Sequence, residues 1–312
     1  MQPSISVVVP TYNRGRAVSR TIESVLSQDL RAEEVEILIV DDGSTDDTFS
    51  VLRELYGANA RVRLFTVPNG GVARARNFGL AQARGEFIAF LDHDDLWLPQ
   101  KLRLQLDAIQ QSEKIGVVYC DWKHFEGREI LPDEDARVWK PRFGLKKRVL
   151  GKLLTGNFII SMSVPLIRTS ALRLIGGFDS AVVPCDDWDV WIRLAKDNEF
   201  VGITEALVLY HQHENQQSQN VKSMLVADRR TRWKNRQLGW PHPYTLIGLY
   251  RPNYLHASQP TYLSVKEALF AQQWKRAWQL SLTCFTQRPL LSLTPQWMVL
   301  MARLIRCDSR RY

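Results

Sequence analysis

Apolar residues recur along the chain in two alternating rhythms. Ile5 to Val9 and Val35 to Val40 are short β-branched runs, and between them Val18, Ile22, Val25 and Leu26 repeat at the spacing of one helical face. The same order follows in the amphipathic Val51 to Tyr56, the strand-like Arg61 to Phe65, a helix over Ala73 to Ala83 and a strand over Phe87 to Leu91. Strand–helix alternation of this kind predicts an α/β fold: βαβ units in a mostly parallel twisted sheet flanked by helices. Further on, the pattern predicts strands over Ile115 to Phe125, Phe158 to Ile167 and Leu207 to Tyr210. It predicts helices over Ala171 to Ile175, stopped by Gly176-Gly177, and over Asp187 to Lys196 with Trp188, Trp191, Ile192 and Ala195 on one face. The charged, proline-containing stretch from Phe125 to about Gly156 reads as a long loop or insertion. Beyond about Ser218 the composition turns helical, aromatic and basic, which divides the chain into a domain over 1–218 and a helical C-terminal region over 219–312.

Composition narrows this picture. With 312 residues, 45% of them hydrophobic, the chain can bury one large core or two smaller ones. Its four cysteines, Cys120, Cys185, Cys284 and Cys307, lie far apart, with neither metal-site spacing nor the density of a disulfide scaffold, so a reducing, cytoplasmic compartment is expected. No signal-peptide pattern follows Met1. The longest uninterrupted apolar run, Trp297 to Ala302, is far short of the ~20 residues that span a bilayer. The net charge of +8 favours anionic partners. Its basic clusters, Arg142 to Lys152 and Arg229 to Arg236, read equally well as solvated faces. No recognisable nucleic-acid module surrounds the second cluster, so nucleic acid is not expected as a partner. Leu293, Trp297, Leu300, Met301, Leu304 and Ile305 share one helical face beside Arg303 and Arg306, a pattern suited to packing on a neighbour or to peripheral contact with an anionic membrane.

The chemistry gathers where strands end. Phe87-Ile88-Ala89-Phe90-Leu91 runs straight into Asp92-His93-Asp94-Asp95. Carboxylates this close repel one another unless a cation collects there, and an oxygen-only donor set suits Mg2+ or Mn2+. Mg2+ usually takes one or two protein carboxylates and fills its remaining positions with water and substrate phosphate, so the strand end implies a phosphorylated substrate. Two other polar junctions, Pro10 to Arg14 and Asp41 to Ser44, also follow strands, and ligands of parallel sheets bind beyond such ends. Asn69-Gly70-Gly71 precedes a helix carrying Arg74 and Arg76, groups that favour phosphate oxygens. No Lys-Ser/Thr follows those glycines and no G-x-G-x-x-G is present, which excludes a Walker loop and argues against a dinucleotide site.

Val7 to Arg14, Val40 to Asp46, Asn69 to Asn77 and Phe90 to Asp95, in that order, resemble the family 2 glycosyltransferases of the GT-A fold, over roughly residues 3 to 218. The resemblance implies inverting transfer of a sugar from a nucleotide-diphosphate donor, commonly UDP-linked, to a hydroxyl of a glycan or lipid-linked acceptor, with a divalent metal. It implies that Pro10, Tyr12 and Asp42 hold base and ribose, that Asp94 meets the metal, and that Asp92 meets ribose or donor sugar with Asp95 in support. Stacking on Tyr12 and acceptance of an imino N–H by Asp42 agree with that physically. Cys185-Asp186-Asp187-Trp188-Asp189 matches the family's Glu-Asp-Tyr/Trp-Asp segment, with Asp186 in place of the commoner Glu; the match makes Asp187 the catalytic base, beside Asp186. By the same resemblance His213 contacts metal or donor. Plainer readings stand beside these: Ser44 and Asp47 have capping-box spacing, and Asp186 and Asp187 suit a helix N-terminus. A competing function is a non-catalytic sugar-nucleotide binder or a membrane-docked assembly subunit. The compartment expected is the cytoplasm, with peripheral contact at the inner face of the membrane for a lipid-linked acceptor.

Overall fold

The computed structural model describes residues 3–127, 129–130, 149–154, 156–211 and 221–239. The elements in chain order are β1 (Ile5–Thr11), α1 (Ser19–Leu26), β2 (Val35–Asp41), α2 (Thr48–Tyr56), β3 (Val62–Thr66), α3 (Val72–Gln82), β4 (Phe87–Phe90), β5 (Leu96–Trp97) and α4 (Lys101–Ile109). They continue with β6 (Ile115–Glu126), β7 (Glu129–Ile130), α5 (Leu150–Leu153), β8 (Leu166–Arg168), α6 (Thr169–Leu174), α7 (Asp186–Leu194), β9 (Glu199–His211) and α8 (Val221–Lys234). The chain forms two compact units, one of residues 1–150 and 158–214, the other of residues 151–157 and 215–312.

A nine-stranded sheet in the order β3-β2-β1-β4-β8-β6-β9-β5, with β7 on β6, organises the first unit. The first four strands in that order are parallel, as the strand–helix alternation predicts. β8 runs antiparallel to both its neighbours, and β6 and β9 are again parallel. Every residue of β1, β2 and β4 is buried, the signature of strands covered on both faces. α3 lies so close to β1 that a Cβ on Gly79 would sit 2.4 Å from Val8 Cγ1, so only glycine fits there. Register then places the functional ends. Thr11 pairs with Asp41 and Val8 with Phe90, which brings the carboxyl ends of β1, β2 and β4 side by side. At the opposite end of these strands the buried Glu36 is satisfied by Ser6 Oγ at 2.6 Å, Arg63 NH1 at 2.9 Å and the Arg84 N–H at 2.7 Å.

Four expectations are corrected. The apolar run Phe158 to Ile167 is a strand only from Leu166; before it, Phe158, Ile159, Met162 and Val164 are buried in a loop whose serines bond to the β4 end rather than to a ladder. The last strand begins at Glu199, eight residues before the predicted Leu207, because its first half pairs with β6 through register shifts that interrupt the alternation. The first helix opens as a 3-10 turn over Gly15–Val18. α4 and β5 were not predicted, although Leu102, Leu106 and Ile109 line a buried face of α4. The charged stretch after Phe125 and the amphipathic pattern from Leu293 lie almost wholly outside the described residues.

Candidate active site

Two turns beyond β1 and β2 interlock. Asp42 donates its N–H to the Thr11 carbonyl at 2.9 Å, and the Asn13 N–H meets Ser44 Oγ at 2.9 Å. The Asn13 carboxamide oxygen accepts from the Thr45 N–H at 2.9 Å, while Thr48 Oγ1 accepts from the Arg14 and Gly15 N–H groups. Asn13 reaches this through a positive φ of 50°, which its side chain tolerates. The ledge so made leaves Tyr12 42% exposed beside the buried Pro10. Asp41 turns inward: it accepts from Ser44 Oγ and from Thr66 Oγ1 at 3.1 Å. The capping-box reading fails, since Asp47 at the N-cap of α2 makes no side-chain cap bond.

Asp42 grips the glycine loop. Its two carboxylate oxygens accept the Gly70 N–H at 2.9 Å and the Gly71 N–H at 2.8 Å, and its carbonyl accepts from Asn69 Nδ2 at 2.9 Å. Two positions require glycine here. Gly43 has φ 70° and would bring a Cβ within 2.7 Å of the Asn69 nitrogen; Gly71, at φ 85°, starts α3. Arg74 is exposed and folds back over Gly70, its NH1 2.7 Å from where a Cβ would stand.

Arg76 is the surprise. The guanidinium expected on donor phosphate is buried, with NH2 donating to Asp92 Oδ1 at 2.7 Å and NH1 to Asp186 Oδ2 at 2.9 Å. Its plane lies 5.6 Å from the Phe178 ring, and its Nε is buried with no partner among the described residues. Burial works against its charge, but Asp92 and then Asp186 outweigh burial and hold the proton more firmly than usual. Burial pushes the Asp186 carboxyl above its ordinary range and Arg76 draws it back. At 2.9 Å in a dry setting the ion pair decides, and Asp186 is a fixed anion. The shorter side chain in the Glu position therefore does reach a partner, and that partner is Arg76.

The remaining acids divide between pocket and scaffold. Asp92 and Asp94 are half-buried; Asp95 is buried, with Oδ1 accepting the His211 N–H at 2.9 Å. Burial, reinforced by the charges of Asp92 and Asp94, pushes the Asp95 carboxyl well above the carboxylate range. Asp187, half-buried in the first turn of α7, accepts the Trp188 N–H at 2.6 Å, while the N-cap residue Cys185 makes no side-chain cap bond. Asp189 is scaffold, accepting from Arg193 Nε at 2.8 Å while Arg193 NH1 and NH2 hold the Ile175 and Gly177 carbonyls at 2.6 Å. His213 lies outside the described residues.

Four supporting residues lie outside the predicted site. Asn77 and Phe178 exchange two hydrogen bonds of 2.8 Å, side chain to backbone, which fixes α3 against the turn before α7. Ser163 Oγ accepts the Asp92 N–H at 3.1 Å, and Ser161 Oγ stands 3.4 Å from Asp92 Oδ2 and 3.5 Å from Asp95 Oδ2. The asparagine beside Arg76 was visible as part of a motif, but nothing local marks the serines. For a divalent metal, Asp92 and Asp94 supply oxygen donors of the right hardness; Arg76 is the cation paired to Asp92 and also feels Asp186 and Asp187, while Asp95 feels the charges of Asp92 and Asp94. The donor set fits Mn2+ or Mg2+. Among the described residues no group of three His, Cys, Asp or Glu side chains is placed to hold a metal ion.

Known proteins resemble this chain in sequence and in fold. A Pasteurella multocida chondroitin synthase is 31% identical over 202 residues, 64% of this chain but 19% of that protein, so the chain spans about a fifth of that relative's length. An Escherichia coli UDP-Glc:alpha-D-GlcNAc-diphosphoundecaprenol beta-1,3-glucosyltransferase is 32% identical over 201 residues, 64% of this chain and 72% of the relative. The fold matches the mannosyltransferase PcManGT of Pyrobaculum calidifontis, solved with GDP-Man and Mn2+, with a TM-score of 0.63, 18% identity, and coverage of 99% of this chain and 87% of that one. Residues 6–173, more than half of the chain, match the family described as Glycosyl transferase family 2, and the chain belongs to that family.

Proposed function

We propose that the protein transfers a sugar, with inversion, from a UDP-linked donor to a hydroxyl of a glycan or lipid-linked acceptor, using Mn2+ or Mg2+. The observation that carries this reading is the Arg76 bridge. It ties the Asp92 end of the D-x-D turn to the first turn of α7 although 110 residues separate Arg76 from Asp186, which supports a donor-binding turn working beside the acids of α7.

The roles follow from position. Tyr12 stacks on the base and Pro10 backs it. Asp42, with two of its roughly four lone-pair sites given to the glycine loop, accepts the imino N–H of uracil. Arg74, exposed at the start of α3, takes the phosphate role that Arg76 is too enclosed to play. Asp92 orients ribose or donor sugar, and Asp94, supported by Asp95, holds the metal. Bound there, the metal would supply Lewis-acid neutralisation of the departing diphosphate. Asp187 accepts the proton of the acceptor hydroxyl as that oxygen bonds to the anomeric carbon and the bond from that carbon to the diphosphate breaks. Asp186 is moved from catalysis to positioning. The UDP-Glc donor and diphosphoundecaprenol-linked acceptor of the Escherichia coli relative, and the Mn2+ in the Pyrobaculum structure, support the substrate and metal classes. No helix among the described residues is long and apolar enough to cross a membrane. A lipid-linked acceptor would be met at the inner face of the membrane.

Asp187→Asn tests the assignment. The variant should bind UDP with Mn2+ as the parent does, read by calorimetry, and lose transfer by on the order of a hundredfold or more. Retained transfer would overturn Asp187 as base. Undiminished biological activity of the variant, with no transfer by either protein, would favour the non-catalytic binder.

A further inference from the structure

The turn that carries Asp92 and Asp94 is held from behind by residues with no part in the chemistry. The last ladder bond of β4 runs from the Leu91 N–H to the Val8 carbonyl at 3.0 Å, so the Asp92 N–H is the first beyond the sheet. A backbone donor at such a point needs a partner, and Ser163 Oγ accepts it at 3.1 Å. Ser163 is wholly buried, and its own N–H donates to Ser161 Oγ at 3.0 Å. From the other side, Thr21 Oγ1 of α1 stands 2.9 Å from the His93 carbonyl and 3.0 Å from that of Asp95, while the Asp95 N–H closes the turn on the Asp92 carbonyl at 3.1 Å.

The serine loop is itself backed by β5 and α4. Trp97 Nε1 donates to the Ser163 carbonyl at 2.8 Å, and Gln105 Nε2 donates to the Val164 carbonyl at 2.9 Å and to the Val118 carbonyl at 3.0 Å. Gln105 Oε1 accepts from Lys101 Nζ at 2.8 Å, so both ends of a wholly buried amide are committed. A buried lysine opposes folding, and an apolar pair of similar volume would pack here with less penalty. What a satisfied polar network adds is a single arrangement where apolar contacts tolerate several. The arrangement fixed here is that of Ser163 against Asp92. We propose that Ser163, held by Trp97 and Gln105, is a positioning residue for the donor turn: by holding the Asp92 N–H it sets where Asp92 and Asp94 present their carboxylates to metal and donor. Ser163 acts through Asp92 and not on the donor itself, so this role rests on the reading of Asp92 and Asp94 given above.

The test is calorimetry on the full chain, with Mn2+ titrated in the presence of saturating UDP. Ser163→Ala should raise the half-saturating Mn2+ about tenfold, the usual scale for losing a group that orients a metal ligand. Trp97→Phe, which keeps an aromatic ring beside Lys101 but loses the bond to the Ser163 carbonyl, should raise it by a smaller factor. Ser6→Ala is the control. It loses a buried hydroxyl that serves Glu36 and the Gly85 N–H at the far end of β1, so it should melt lower than the parent with Mn2+ binding unchanged. Unchanged Mn2+ binding by Ser163→Ala, or by Trp97→Phe should the first variant not fold, overturns the positioning role. So does an equal loss in Ser6→Ala, since destabilisation alone would then account for it. The transfer reading fails separately, on turnover: a parent that binds UDP and Mn2+ but moves no sugar overturns that reading and not the role of Ser163. Absence of Mn2+ binding by the parent overturns both.

Discussion

At the scale of single residues, the site turns on one guanidinium asked to serve two carboxylates. Arg76 pairs with Asp92 and with Asp186 from within the protein, and its planar fork makes both bonds at once. Lysine has the charge but a single donor centre. Arg76→Lys should therefore fold, keep nucleotide binding within a fewfold, and lose turnover by on the order of a hundredfold through misplacement of Asp187 relative to the donor. Arg76→Met is harsher, because it leaves the buried Asp186 without a counter-charge; a loss of about 3–5 kcal/mol in urea unfolding is expected. A methionine variant as stable as the parent would show that the pair is not dry. The same residue shows where local reading stops. Sequence alone pointed Arg76 toward phosphate, since arginines after a glycine loop usually meet one, and could not foresee its bond to Asp186, 110 positions away.

At the scale of elements, legibility follows the range of the contacts involved. β1 to β4 and the helices between them were readable because each buries a continuous or periodic apolar face made from its own residues. The loop over 158–165 was not, because what keeps it from being a strand is the bond from Asp92 N–H to Ser163 Oγ, 71 residues apart. α4 was missed for another reason: its buried face contains Lys101 and Gln105, which blur the apolar period. Lys101 is wholly buried, with Nζ 2.8 Å from Gln105 Oε1 and 3.9 Å from the Trp97 ring centroid, and burial lowers its pKa to about 8. The sign follows directly. Below about pH 8 the lysine is charged in both folded and unfolded chains, and the fold bears the cost of burying it. Between about pH 8 and 10.5 only the unfolded chain keeps the proton, so stability rises with pH, by ~3 kcal/mol across that window. Burial pushes the Cys120 thiol up to about 11 and acts in the opposite sense from about pH 9, so the comparison is made against Lys101→Met, which retains Cys120. Urea melts should show the parent gaining on the variant from pH 7 to 10.5. A pH-independent difference would mean that Lys101 is not desolvated.

At the scale of the molecule, the boundary inferred from composition near Ser218 describes a chain that is cut once, whereas the contacts describe one that passes between two units three times. Residues 151–157 belong with 215–312, while 158–214 return to the sheet. Within that second unit the connection is specific: Leu153 and Leu154 are buried, and the Leu154 carbonyl receives Arg232 NH1, itself held by the buried Asp228. A chain ending at Glu214 would keep every strand of the sheet yet strip the donor from that carbonyl and the cover that α8 gives this turn. Loss of a buried partner of this kind costs about 1–3 kcal/mol, and segments short of buried contacts open first. Such a chain should melt lower than the full protein and be cleaved by trypsin at Lys152 long before the sheet is attacked. Equal protection of Lys152 in both chains would show that the 151–157 crossing is held by the sheet unit alone.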